Sequence, residues 1–152
     1  MNPRLDANRI APEGIKRVRA VNEYVHESGL ELSLLELVKI RASQINGCAY
    51  CIDRHTRDAR AQGESEERIY LLDAWRESPL YTPRERAALA WVEALTRVAD
   101  THAPDEVYEE LRRHFSEKEI VDLTLAIGVI NLLNRVAIGL RYVHPTSPPR
   151  AA

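Results

Sequence analysis

Cys48 and Cys51 are the chain's two cysteines, and they form a C-x-x-C pair inside ELVKIRASQINGCAYCIDRH, residues 36–55. His55 follows Cys51 by four residues, and Glu36 precedes Cys48 by twelve. If Gly47 ends one helix and Cys48 opens the next, Cys48, Cys51 and His55 fall at i, i+3 and i+7, one stripe of a helix. The unpaired N–H groups of a helix N-terminus favour an anion. The anion expected here is a thiolate.

A free thiol with a pKa near ~8.5 is only about 3% thiolate at pH 7. A helix N-terminus and a neighbouring imidazolium that lower it by about two units, ~2.7 kcal/mol, make the thiolate the major form. His55 lies one turn beyond Cys51, so Cys51 is the thiol it deprotonates most directly. Cys48, expected at the exposed start of the helix, is free to attack whatever Cys51 becomes. A hydroperoxide would convert Cys51 to a sulfenic acid, and Cys48 would condense with it to a disulfide.

Glu36 has two readings that spacing does not separate. A carboxylate near an imidazole orients it and favours its charged form. Alternatively, Ser33-x-x-Glu36 is a capping box that closes its own helix start. His55 alone would read as a helix-surface residue, and the two cysteines at helical spacing are what favour a functional role. The cysteine pair has rival readings too. Structural zinc needs about four ligands, and no second C-x-x-C or His-x-x-x-His follows. A thioredoxin-like site expects a strand before the pair, whereas both flanks here are helical in pattern. A thiol redox site on a helical scaffold accounts for every unusual residue in the stretch.

The elements around it follow from apolar period and caps. Residues 1–11 are expected to be a poorly ordered arm, with Pro12 starting a helix through Ile15, Val18, Val21 and Val25 that stops at Gly29. Ser33 is expected to cap a second helix that Asn46-Gly47 breaks, and the third runs from about Cys48 to Gln62. A fourth spans Ser65 to Trp75. Thr82-Pro83-Arg84-Glu85 is the clearest helix start, leading to about Ala99. Asp100 to Ala103 reads as a loop and Pro104 opens a sixth helix ending near Phe115. Ser116 with Glu119 forms a second capping box before an apolar helix from about Glu117 to Leu140. The tail from 145 to 152 is expected to be mobile. No alternating strand pattern appears, so the prediction is one all-α domain over residues 1–152, a bundle of six or seven helices with its redox core at 34–63.

Composition narrows the function classes. The 152 residues are 45% apolar and 29% charged, with a formal net charge of −2, which gives no basic field for nucleic acid. The first residues, MNPRLDANRI, contain no apolar signal core, and the cytoplasm is the expected compartment. In Ile120 to Leu140 the longest uncharged run is Leu123 to Asn134, short of the ~20 apolar residues a bilayer demands, so a buried helix is expected and no membrane span. Its apolar residues go almost all the way round, which predicts packing against another subunit. His26, His102, His114 and His144 repeat no metal-ligand spacing and read as surface or cap residues. Trp75 and Trp91 read as core, and Asp53 to Arg60 as a solvated face. No glycine-rich phosphate loop is present; no flavin, haem, nicotinamide or metal cofactor is expected.

The stretch resembles the active-site signature of the alkylhydroperoxidase D and carboxymuconolactone decarboxylase-like superfamily. RASQINGCAYCIDRHTRDARAQG is similar to its core motif, and SPLYTPRERAALAWVEALT to the segment that follows, together covering roughly Leu34 to Thr96. The resemblance implies an all-α fold, assembly as helical trimers or hexamers, and antioxidant reduction of organic or hydrogen peroxides through the cysteine pair. It implies Glu36 and His55 as a proton relay to Cys51, with Cys48 as the resolving thiol; an external dithiol is the expected reductant. Alkylhydroperoxidase D has a second histidine just before its second cysteine; Tyr50 stands there, and its hydroxyl can relay a proton but is no base near pH 7. The alternatives carried forward are a dithiol/disulfide adaptor for a peroxiredoxin-like partner and a structural or metal-binding homo-oligomer.

Overall fold

The computed structural model describes residues 2–145, and within them the chain is all-helical. In order come α1 (Ala7–Ile10), α2 (Pro12–Glu27), α3 (Leu32–Asn46), α4 (Ala49–Ala61), α5 (Glu66–Tyr70), a 3-10 turn (Leu72–Ala74), α6 (Pro83–Thr96), α7 (Val98–Thr101), α8 (Asp105–Arg112) and α9 (Glu117–Leu140). That makes nine α-helices among the described residues, against the six or seven expected. The additions are single turns that carry too few residues to show a period.

One of these corrects the expected irregular arm at 1–11. Asp6 caps α1 by accepting from the Arg9 backbone N–H at 3.2 Å. Arg4 donates its backbone N–H to the Leu140 carbonyl (2.9 Å) and its guanidinium to the Gly139 carbonyl (3.0 Å). The last carbonyls of a helix lack intrahelical donors; at the end of α9 the Tyr142 and Arg141 N–H groups take those of Ala137 and Ile138, and Arg4 supplies the final two. Likewise α7 occupies part of the expected loop at 100–103. The expected fourth helix divides, because a tighter 3-10 turn brings Leu72 and Trp75 into the core and hands Asp73 to Arg41. The expected mobility of the tail concerns residues that, Pro145 apart, lie outside the described ones.

Every residue from Leu34 to Ser43 in α3 is buried, so α3 is the central element, packed by α4, α6 and α9. Four of those ten positions are polar or charged, and buried charges must be paired. Arg41 meets Glu93 at 2.8 Å and also Asp73; Glu36 and Lys39 meet each other. Trp75 and Trp91 are core residues, as expected.

The capping boxes expected at Thr82/Glu85 and Ser116/Glu119 are present. By length and composition α9 would suffice to cross a bilayer. It is tied into the bundle instead: Tyr24 donates to Asp122 at 2.8 Å, Asn46 to Asn131 at 2.9 Å and to Asn134 at 2.8 Å, and Asn134 to Ser43 at 3.1 Å. Its other side leaves Val121, Leu125, Leu132 and Ile138 exposed.

The break between α3 and α4 is a Schellman turn. Gly47 adopts φ +70°, its N–H reaches the Gln44 carbonyl (3.1 Å), and the Cys48 N–H reaches the Ser43 carbonyl (2.9 Å). A Cβ at Gly47 would meet no atom within 4 Å, so only the left-handed backbone selects glycine. Gly47→Ala should therefore lower stability by about 1 kcal/mol in urea unfolding, and Gly47→Asn by less, because asparagine tolerates that backbone region better.

Candidate active site

Cys48 is the N-cap of α4, and its sulfur accepts from the Cys51 backbone N–H at 3.3 Å. The two cysteines are joined as a disulfide across a Cα–Cα distance of 5.3 Å. Around them pack Ala137 from α9 and the half-buried Tyr50 and Tyr142, whose rings meet edge-on at 5.4 Å. Cys48 is 1% exposed, which corrects the expectation that it would be the accessible thiol. The Schellman turn folds its side chain under α9, and it is Cys51 that lines a cavity of about 270 Å³.

That cavity is closed by α1, α2, α4 and α9. Its apolar wall includes Ile130, Leu133 and Ala137, and Arg19, Arg54 and Glu23 are among its polar lining. His55 and Tyr50 line it as well, so three of the expected site residues share one chamber.

His55 Nδ1 lies 2.8 Å from Glu36 Oε2. A carboxylate can only accept, so Nδ1 carries the proton and Nε2 is left with its lone pair for a proton from outside the pair. This decides between the readings of Glu36. The α3 N-cap is Glu31 and no side chain caps the helix, so Ser33 and Glu36 form no capping box. Helix α3 starts two residues earlier than expected, and Glu36 faces α4.

The other Glu36 oxygen, Oε1, accepts from Lys39 Nζ at 2.8 Å. Burial pushes the Glu36 carboxyl up, but the His55 hydrogen bond and the Lys39 charge outweigh it and hold the pKa below the usual carboxylate value. Lys39 Nζ lies 2.6 Å from His26 Nε2. An ammonium only donates, so His26 Nε2 accepts and the ring is neutral. Burial and then the Lys39 charge both lower the His26 pKa.

His26, expected to be a surface residue, thus joins α2 to a four-membered chain: His26, Lys39, Glu36, His55. His114, by contrast, pairs with Glu110 on the surface, and His102 caps α7. The solvated-face reading of 53–60 holds for the Asp53–Arg57 and Arg54–Asp58 pairs. Asp58 also comes with Glu36 and His55 into a group whose ligand-type atoms lie within 4.8 Å of one another.

The carboxymuconolactone decarboxylase family model matches residues 12–94, which include every member of this chain and both cysteines. The protein belongs to that family. At the level of the superfamily it is alkylhydroperoxidase D-like. An uncharacterised protein of Bacillus subtilis, YdfG, is 46% identical over 140 residues, 92% of this family member and 95% of the relative. The crystal structure of a protein of unknown function from Agrobacterium tumefaciens, suggested to be the antioxidant defence protein AhpD, is 50% identical. It superposes with a TM-score of 0.94, covering 96% of this chain and all (100%) of that one. The debrominase Bmp8 shares the fold, with a TM-score of 0.79 at 21% identity over 88% of this chain and 72% of its own.

For this family member, sequence reasoning missed Lys39, His26 and Tyr142. Lys39 had a usable signal: it follows Glu36 by three residues, the spacing at which two side chains meet on one face of a helix. His26 and Tyr142 had none, since each arrives from a different helix or helix end.

The two lowered pKa values fix a direction for acid lability. His26 binds fewer protons folded than unfolded, so its share of stability is complete above its ordinary pKa of 6.5 and is lost as pH falls through the lower folded value. Glu36 adds a further loss below its ordinary 4.5. Urea midpoints measured from pH 8 to pH 4 should fall on acidification, starting near pH 6.5. His26→Gln, which still offers Lys39 an acceptor but does not titrate, should delay that fall until Glu36 titrates.

Proposed function

We propose that the protein is a thiol-dependent peroxidase that reduces organic or hydrogen peroxides with Cys51 as the attacking sulfur. The observation that carries this is the placing of Cys51 and a Glu36-oriented His55 in one chamber, with Cys48 already in bonding contact behind it. The antioxidant role suggested for the 50% identical Agrobacterium protein supports the same reading.

The cycle starts from the dithiol. His55 Nε2 takes the Cys51 proton, and the thiolate attacks one peroxide oxygen. The O–O bond breaks, sulfur is oxidised to the sulfenic acid, and the leaving alkoxide or hydroxide takes the proton back from His55 as alcohol or water. Cys48 then attacks the Cys51 sulfur, forming the disulfide and releasing water. An external dithiol, oxidised in turn to its own disulfide, restores both thiols. Glu36 keeps the Nδ1 proton in place and stabilises the imidazolium that forms. Tyr50 lies at the chamber wall, where its hydroxyl can pass a proton.

Stopped-flow peroxide consumption with a dithiol reductant tests this. Cys51→Ser should abolish turnover, and His55→Ala should slow it by about 10²–10⁴-fold. With the reductant left out, Cys48→Ser should stop after one equivalent with a sulfenic acid on Cys51, whereas the native protein loses two hydrogens between its cysteines in the mass spectrum. Slow oxidation by peroxide with fast exchange against a disulfide would instead mark an adaptor.

The exposed apolar row of α9 runs beside a groove of about 790 Å³ lined by Leu95, Val98, Leu132, Val136 and Leu140. We read this face as the contact with further copies of the chain, as trimers or hexamers. Light scattering at micromolar concentration should give a multiple of 17.3 kDa, and Leu132→Lys should shift it towards a single chain.

A further inference from the structure

We propose that Lys39, seated by His26, is a positioning residue that keeps Glu36 ionised and divided between two helices, so that the proton relay to Cys51 depends on α2 as well as on α3 and α4. The inference rests on the peroxidase reading for its purpose but not for its geometry.

The Lys39 and Glu36 side chains are each 2% exposed. At that burial a carboxylate without donors takes up a proton, and a lone ammonium loses one. Each oxygen of Glu36 is given to a different partner: Oε1 to Lys39, Oε2 to His55. If Lys39 is removed, Oε1 has no donor among the described residues. Burial then favours the protonated acid, and His55 loses the anion that orients Nδ1 and leaves Nε2 basic. The charged and titratable groups facing the pair are His26 from α2 and His55 and Asp58 from α4.

The choice of His26 as second acceptor distinguishes this arrangement from an ordinary helix-surface ion pair. Lys39 and Glu36 are three residues apart and would meet on any helix. What that pairing does not require is a neutral imidazole 2.6 Å beyond the ammonium, on another helix. It holds Nζ against Oε1 without adding a second anion, which would compete with Glu36 for the ammonium.

The test is the pH dependence of iodoacetamide alkylation at Cys51 in the reduced chain, in a Cys48→Ser background so that one thiol reports. Glu36→Gln should move the profile to higher pH by about one unit, a roughly tenfold slower reaction at pH 7. Lys39→Met should produce a shift of the same size, and the double variant no more than either single one. Lys39→Arg should recover part of it, and His26→Leu should give a smaller shift in the same direction. Circular dichroism establishes which variants fold; if Lys39→Met does not, Lys39→Arg and His26→Leu carry the comparison. A folded Lys39→Met, or in its place His26→Leu, whose profile coincides with the parent while that of Glu36→Gln moves would overturn the inference. So would a double variant with additive shifts. An unmoved Glu36→Gln would sink the relay and the inference together, whereas absent peroxide turnover with these shifts intact would sink only the peroxidase reading.

Discussion

A carboxylate sealed inside a helical bundle is the constraint on which the site depends. Glu36 sits on α3 with 2% of its surface exposed, and its ionised form survives because Lys39 and His55 each donate to it. Removing one partner of such a buried pair costs about 3–5 kcal/mol, because the remaining charge is then stranded. That penalty fixes the spacing of α3 and α4 and, through His26, the seat of α2. The same interactions that satisfy the core also assign the tautomer of His55, so packing and chemistry have a common cause.

The second requirement is that α3 stop at the right residue. Gly47 takes the left-handed turn, and Asn46 is held from behind by Asn131 and Asn134 of α9, which also reaches Ser43. Cys48 is thereby delivered to the N-cap of α4 with Cys51 one turn on. A polar side chain at Asn131 or Asn134 would be expensive in a helix facing lipid. Here both join the framework that orients the disulfide, and α9 serves as its back wall.

Much of this was legible in the chain. The helix class, the capping boxes of α6 and α9 and the break at Asn46-Gly47 follow from local chemistry that acts within four residues, and they stand where local chemistry puts them. The C-x-x-C and His55 were legible for the same reason, since helical spacing places them. Glu36 was undecided because its capping and orienting roles use the same residue type, and only the fold tells which way α3 faces. Accessibility was misjudged for Cys48: a helix start is open in isolation, and α9, ninety residues later, covers it. His26 belonged to the same blind spot, as its contact with Lys39 joins two helices and leaves no mark on either one's period.

The clamp between Arg4 and the end of α9 has an implication for handling the protein. Asn8 of α1 borders the chamber that holds Cys51, and α1 is held in place by its own cap and by those two bonds to the Gly139 and Leu140 carbonyls. A cleavage or fusion that disturbs the first ten residues therefore does more than trim a loose end. It takes Asn8 from the chamber wall and the donors from the last two carbonyls of the longest helix at once, so a shortened version would be a different vessel around the same sulfurs.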